Sequence, residues 1–136
     1  MRAIDYLRQI KVLDDQINRN IREIERWRDM AYKITADPSE EHYNPNRPTS
    51  APFEKCFEKA DELERIVTAD IDRLADLKFE AEEKISRLDD YVCRDILRLR
   101  YIEYRPWTEI ISFVNLCRSQ VFKKHNQALS SLDEIL

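Results

Sequence analysis

Apolar side chains over the first 35 residues recur at alternating intervals of three and four, the spacing of a helix that packs along another helix. The seam consists of Ala3, Tyr6, Ile10, Leu13, Ile17, Asn20, Ile24, Trp27, Ala31 and Ile34. This pattern predicts a long helix over about residues 3–35. Its single polar member, Asn20, is typical of a residue that fixes the register of a coiled coil at some cost in stability.

A second seam of the same kind predicts another long helix over about residues 53–88. Its members are Phe53, Phe57, Ala60, Glu64, Val67, Ile71, Leu74, Lys78, Ala81, Ile85 and Leu88. The two charged members each follow a leucine, Leu63 and Leu77, so the apolar stripe continues by shifting sideways. Composition agrees, because 43% apolar and 37% charged residues with no glycine favour an all-α fold.

The two seams are joined by a linker over residues 36–52 that contains four prolines, which interrupt a helix. Residues 1–35 carry eight basic and six acidic side chains, and residues 53–88 carry seven and eleven. Opposite net charges suit two helices lying side by side. We therefore expect residues 1–88 to form a long antiparallel coiled-coil hairpin; pairing of the seams between two chains is the alternative.

The apolar period changes after Leu88, which predicts a second domain over residues 89–136. Asp89 or Asp90 is suited to cap a helix from Tyr91 to about Tyr104, whose apolar face consists of Val92, Ile96, Leu97 and Leu99. Arg105 and Pro106 then separate it from a fourth helix. That helix carries Trp107, Ile110, Ile111 and Val114 on its apolar face.

Asn115 stands where this fourth helix should end. A sharp turn between helices needs a residue that tolerates positive φ, and asparagine is the usual substitute for glycine. The next helix is expected to run from Arg118 to Leu132. A helix, a short left-handed turn, a buried leucine and a helix that begins with polar and basic residues form the helix-turn-helix pattern of DNA-binding proteins.

The stretch LRLRYIEYRPWTEIISFVNLCRSQVFKKHNQALSSL, residues 97–132, resembles region four of bacterial sigma factors. In particular, it looks like the version in small phage and prophage proteins related to late-gene regulators, which also carry an N-terminal helical hairpin. The resemblance implies a sigma-region-four-like helix-turn-helix bundle, with double-stranded DNA as partner and RNA polymerase or another protein as a further one. Cys117 replaces the usual serine or threonine cap, and Lys124 replaces an aliphatic residue.

On this interpretation the first turns of the recognition helix face base edges, and other basic groups face phosphates. The candidate DNA-contacting residues are Arg118, Ser119, Gln120, Lys123, Lys124, Gln127 and Arg105, with Arg98 and Arg100 as further candidates for phosphate contacts. The alternative for these side chains is an ordinary solvated helix face. Residues 89–136 carry seven basic and seven acidic residues, so tight binding would require a homodimer or a second partner.

Other function classes find little support in the sequence. The chain has no glycine-rich phosphate loop, nucleophile motif or pair of metal-ligating residues, so neither an enzyme nor a cofactor is expected. Its three scattered cysteines fit a reducing cytoplasm, and no apolar run reaches transmembrane length. The alternative to a transcription regulator is a coiled-coil interaction or scaffold protein whose helix-turn-helix has lost DNA binding.

Overall fold

A computed structural model describes residues 1–36 and 50–136. Over these ranges the chain is all-α, with no strand. The helices are α1 (Ala3–Ala36), α2 (Ser50–Ser86), α3 (Tyr91–Leu97), a π-helical segment (Arg98–Ile102), α4 (Trp107–Val114) and α5 (Arg118–Ile135). The prediction of an all-α chain is confirmed.

The two long helices lie close to their predicted positions, but the ends of α2 differ from the prediction. Helix α2 begins at Ser50 rather than Phe53, so the predicted linker is wrong at its C-terminal end. Pro52 is compatible with this start, because the first turn of a helix needs no backbone donors. Residues 37–49 of the predicted linker lie outside the described residues. At its other end α2 stops at Ser86, and Leu88 turns inward as its amide donates to the carbonyl of Ile85 (3.0 Å).

The described residues divide into two compact units, and the first consists of residues 1–14 and 73–136. One apolar cluster joins the start of α1, the end of α2, α3 and α5 within this unit. Its buried members are Ala3, Tyr6, Leu7, Ile10, Ala81, Ile85, Leu88, Cys93, Leu97, Tyr101, Ala128 and Leu132. The Ala3 amide also donates to Asp133 Oδ1 (2.6 Å). The predicted domain boundary after Leu88 therefore does not coincide with the boundary of this unit.

The second unit consists of residues 15–72, the later part of α1 and the earlier part of α2. Its buried apolar residues are Ile17, Ile24, Ala31, Cys56, Ala60, Leu63 and Val67. Arg28 and Glu64 form an ion pair between the two helices. Apolar burial along both helices with a charged pair at the side is the arrangement that amphipathic helices favour in water.

The predicted seam of α2 is wrong at two positions in this unit. Phe57 and Ile71 are 40% and 47% exposed, whereas Cys56 and Leu63 are only 6% and 8% exposed. Phe53, Ala60 and Val67 are spaced by seven residues. An apolar stripe that includes them can continue either through the residue three positions later, such as Cys56, or through the residue four positions later, such as Phe57. The prediction chose the side of Phe57, and the structure buries the side of Cys56.

Helix α3 begins as predicted and ends differently. Its cap is Asp90, whose Oδ1 accepts a hydrogen bond from the Val92 amide (2.9 Å). The expected continuation to Tyr104 is wrong, because the chain widens into the π segment and leaves the helix after Ile102. The Glu103 amide donates to the Arg98 carbonyl (3.0 Å), five residues back, and Tyr104 then adopts a left-handed φ of 59°.

Truncation of α2 side chains tests which side of this helix is buried. We expect Leu63→Ala to lower the free energy of unfolding by about 2–3 kcal/mol, because it removes buried methyl groups and leaves a cavity. The matched change Ile71→Ala removes a half-exposed side chain and is expected to cost less than about 1 kcal/mol. Urea unfolding followed by circular dichroism measures both values. A larger loss for Ile71→Ala than for Leu63→Ala would contradict the observed side.

Candidate nucleic-acid interface

The turn between α4 and α5 is held by a left-handed asparagine, as the sequence predicts. Asn115 has φ 58° and ψ 40°, and its amide donates to the carbonyl of Ile111 (3.1 Å). Leu116 follows it and packs against a cluster whose buried members are Ile96, Leu99, Ile110 and Val121. The apolar contacts of Leu116 therefore fix where α5 begins relative to α3 and α4.

The head of α5 is capped by a cysteine. Cys117 and Gln120 form the two halves of a capping box, in which the Cys117 amide donates to Gln120 Oε1 (3.3 Å). The Cys117 sulfur also lies 3.3 Å from Ser119 Oγ. A hydrogen bond with Ser119 and another from the Gln120 amide hold the pKa of Cys117 below its usual value. Sulfur thus takes the place of the expected hydroxyl at this cap.

Five of the predicted DNA-contacting side chains lie exposed on α5. They are Arg118, Ser119, Gln120, Lys123 and Gln127. Residues 110–132 contain three basic side chains and no acidic one, so this part of the chain is positive although residues 89–136 are neutral as a whole. The Arg118 guanidinium lies 5.5 Å from the centre of the Phe122 ring. The head of α5 therefore presents cationic and amide groups to solvent.

Lys124 differs from its neighbour Lys123. Its Nζ lies 2.6 Å from Asp90 Oδ2, and the same carboxylate caps α3 through its other oxygen. This hydrogen bond raises the pKa of Lys124 and is the main cause that lowers the pKa of Asp90. The Lys124 ammonium thus connects α5 to the start of α3.

Arg105, the predicted phosphate contact outside α5, lies between two carboxylates. Its guanidinium is 3.4 Å from Glu109 and 3.7 Å from Glu103. Arg98, another candidate, donates to Glu82 Oε2 at 2.8 Å. Both cations are balanced by neighbouring acids. The structure therefore groups the candidate residues of α5 on one helix and sets Arg105 apart in a local ion-pair network.

The sequence does not indicate the contact between Tyr101 and His125. The Tyr101 hydroxyl lies 2.7 Å from His125 Nε2, and the Trp107 ring packs edge-on against the imidazole. Burial lowers the pKa of His125 below 6.5, and the positive charges of Arg100 and Arg8 lower it further. Burial raises the pKa of Tyr101. Local sequence patterns do not indicate a contact between residues 24 positions apart. Trp107, which stands at an apolar position of its helix, indicates only that its own surroundings are packed.

Residues 54–133, more than half of the chain, match the model of a family described as a protein of unknown function, DUF1492. The chain belongs to this family. The matched range begins near the start of α2 and ends in the last turns of α5. Neither the curated proteins nor the solved structures contain a match.

Within ranges 1–36 and 50–136 no helix is long and apolar enough to cross a membrane. Over the same ranges, histidine, cysteine and acidic side chains form no group of three or more that could hold a metal ion.

Replacement of Asn115 tests the turn. Asn115→Ala is expected to lower the free energy of unfolding by about 1 kcal/mol, because an alanine Cβ disfavours the left-handed region. Asn115→Gly should remain close to wild type. Chemical unfolding measures both, with Asn126→Ala on the exposed face of α5 as the control. Equal effects of Asn115→Ala and Asn126→Ala would contradict a turn that depends on the left-handed residue.

The pH dependence of stability tests the environment of His125. The pKa of this histidine is lower in the folded chain than in the unfolded chain, so the unfolded state takes up the proton first as the pH falls. Wild-type protein should therefore lose stability between about pH 6.5 and the lower folded pKa. His125→Gln should lose less over this range. Urea unfolding at pH 7.5 and 5.5 measures the difference, and equal losses would show that His125 is not protected from protonation.

Proposed function

We propose that this protein is a DNA-binding transcription regulator of phage or prophage type, with a C-terminal module like region four of sigma factors. The observation that supports this most directly is the left-handed turn at Asn115, followed by a helix whose first residues are exposed. In this proposal α4 and α5 are the two helices of a helix-turn-helix, and α5 enters the major groove.

The exposed groups at the head of α5 have the chemistry of base recognition. An arginine at 118 can donate two parallel hydrogen bonds to guanine, and a glutamine at 120 can pair with adenine in the same way. Gln120 Oε1 already accepts a hydrogen bond from the Cys117 amide. Bidentate recognition of adenine by Gln120 would therefore replace this capping contact, whereas Arg118 can bind guanine without changing the cap.

The long helices belong to the same proposal as an antiparallel hairpin. Within the first unit Lys84 Nζ lies 4.6 Å from the centre of the Tyr6 ring, and within the second unit Arg28 pairs with Glu64. Tyr6, early in α1, thus faces Lys84, late in α2, whereas Arg28, later in α1, faces Glu64, earlier in α2, which is the order of an antiparallel pair. A hairpin of this kind offers a surface for a second copy, for RNA polymerase or for another protein, which a neutral DNA-binding module needs in order to bind tightly.

A second candidate is a helical interaction or scaffold protein in which the module no longer binds DNA. The supporting observation is the set of large apolar side chains left at least 40% exposed on α2 within the second unit, namely Phe57, Ile66 and Ile71. Exposed apolar groups favour association with another protein where they form one contiguous patch. This candidate requires no contribution from Arg118 or Lys123.

A DNA-binding assay separates the two candidates. Fluorescence anisotropy with duplexes tiled across the genomic DNA that flanks the coding region should show binding that weakens steeply with salt. Arg118→Ala should weaken specific binding about tenfold or more through the loss of a base contact. Lys123→Ala should weaken binding to all duplexes and reduce the salt slope by about 1.

Lys124→Ala is the matched control, because its ammonium is engaged by Asp90. We expect it to affect DNA affinity less than Lys123→Ala. Absence of binding at low salt, or equal affinity of wild type and Arg118→Ala, would argue against the regulator. Capture of a specific protein partner that Lys123→Glu leaves intact, with no DNA binding, would favour the scaffold.

A further inference from the structure

A cavity of about 320 Å³ lies within the first unit, between the first turns of α1, the π segment, the start of α4 and the middle of α5. Three of the side chains that line it are cationic: Arg8 and Lys11 on α1, and Arg100 on the π segment. None of the described residues that line it is acidic. The cavity therefore has a positive wall in a chain whose net charge is −4.

The remaining wall of this cavity is mainly aromatic. Tyr101, Tyr104 and Trp107 line it, with His125 beside them. The Arg100 guanidinium carbon lies 4.8 Å from the Trp107 ring centre, and Lys11 Nζ lies 4.8 Å from that of Tyr104. Lys78 Nζ lies over the Tyr104 ring at the same distance as Lys11 Nζ, so cationic groups lie against ring faces around one space of small-molecule size.

Two unfavourable backbone features meet at this cavity. A π turn adds one residue to the helix, which rotates the following side chains by about 100°. Tyr104 adopts a left-handed φ of 59°, which is unfavourable for a bulky side chain. Together they bring Arg100, Tyr101 and Tyr104 to the same space. Features of this kind recur at ligand sites, where packing and binding compensate their cost.

We propose that this cavity binds a nucleoside phosphate, with the phosphate at Arg8 and Arg100 and the base against the aromatic wall. Arginine binds phosphate through several donors at once, and the planar faces of tyrosine and tryptophan stack on nucleobases. Arg100 uses Nη1 to donate to the Arg105 carbonyl (3.2 Å), which leaves its other N–H groups for a ligand. The site uses none of the exposed residues at the head of α5 and does not depend on DNA binding.

Tryptophan fluorescence provides the test. The chain has two tryptophans, so the Trp27→Phe variant reports on Trp107 alone. Adenosine monophosphate and diphosphate are titrated separately into this variant and should change its fluorescence to saturation. Adenosine, which lacks the phosphate, and inorganic phosphate, which lacks the base, should each bind at least about tenfold more weakly, a difference of about 1.4 kcal/mol.

Removal of the Arg8 charge tests whether the phosphate binds in this cavity. Arg8→Gln changes an exposed side chain and should weaken binding of adenosine monophosphate about tenfold while the circular dichroism spectrum stays unchanged. Arg22→Gln, an exposed arginine of the same helix in the second unit, is the matched control and should bind as the parent does. Arg100→Gln should weaken binding at least as much, but it also loses the contact with Trp107, so Arg8→Gln decides.

Three outcomes would overturn the proposal. They are no saturable response to either nucleotide, equal affinity for inorganic phosphate and adenosine monophosphate, and an Arg8→Gln affinity equal to that of Arg22→Gln. A competition arm identifies the source of the phosphate. If a duplex oligonucleotide displaces the monophosphate in proportion to its phosphate content, the cavity binds the DNA backbone and the free nucleotide is excluded. Nucleotide binding that the duplex leaves unchanged supports the proposal.

Discussion

The close approach of the first turn of α1 to the end of α5 determines the arrangement of the first unit. Ala3, Ala81 and Ala128 are fully buried in one cluster, and the Ala3 amide is fixed by Asp133. Alanine side chains are small enough to let helix backbones come close. Glycine often has this role in other proteins, but this chain contains no glycine. With α1 held in this way, Arg8 and Lys11 face the π segment and His125 on α5. The cavity is thus a consequence of helix packing, and a larger side chain at any of the three alanines would displace its walls.

The local cancellation of charge explains how a neutral module can carry a positive helix. Asp90 balances Lys124, Glu103 and Glu109 balance Arg105, and Glu82 from α2 balances Arg98. These contacts use acidic groups that lie outside residues 110–132. The remaining cations of α5, Arg118 and Lys123, are exposed. In salt, the interaction between exposed charges is screened beyond about 10 Å. The net charge of the whole domain therefore underestimates the positive potential at the head of α5.

The features that the sequence predicted correctly depend on residues close together in the chain. The helical periods predicted α1 and α2, Asp90 predicted the cap of α3, and Asn115 predicted the left-handed turn.

The errors of the sequence-based prediction have a different origin. The side of α2 that is buried could not be chosen between Cys56 and Phe57, because both continue the same heptad, and the larger apolar residue was the wrong choice. The π segment, the ion pair of Lys124 and the contact of His125 with Tyr101 depend on neighbours 24 to 34 residues away or on packing against other helices. Local periodicity contains no information about such partners.

Helix α5 belongs to both proposed sites and connects them physically. Its exposed side carries Arg118 and Lys123, and its inner side carries His125, which lines the cavity. A series of contacts joins the exposed side of α5 to the cavity. The Arg118 guanidinium lies over the Phe122 ring, and Phe122 packs on Trp107 with ring centres 4.9 Å apart. The Arg100 guanidinium in turn lies over the Trp107 ring.

Contact alone does not transmit binding energy, because a ligand shifts an equilibrium only by its difference in affinity for two states. If the position of α5 differs between DNA-bound and free protein, a cavity ligand must change DNA affinity by the same factor by which DNA changes the affinity of that ligand. Equal nucleotide affinity with and without DNA would mean that the two sites act independently.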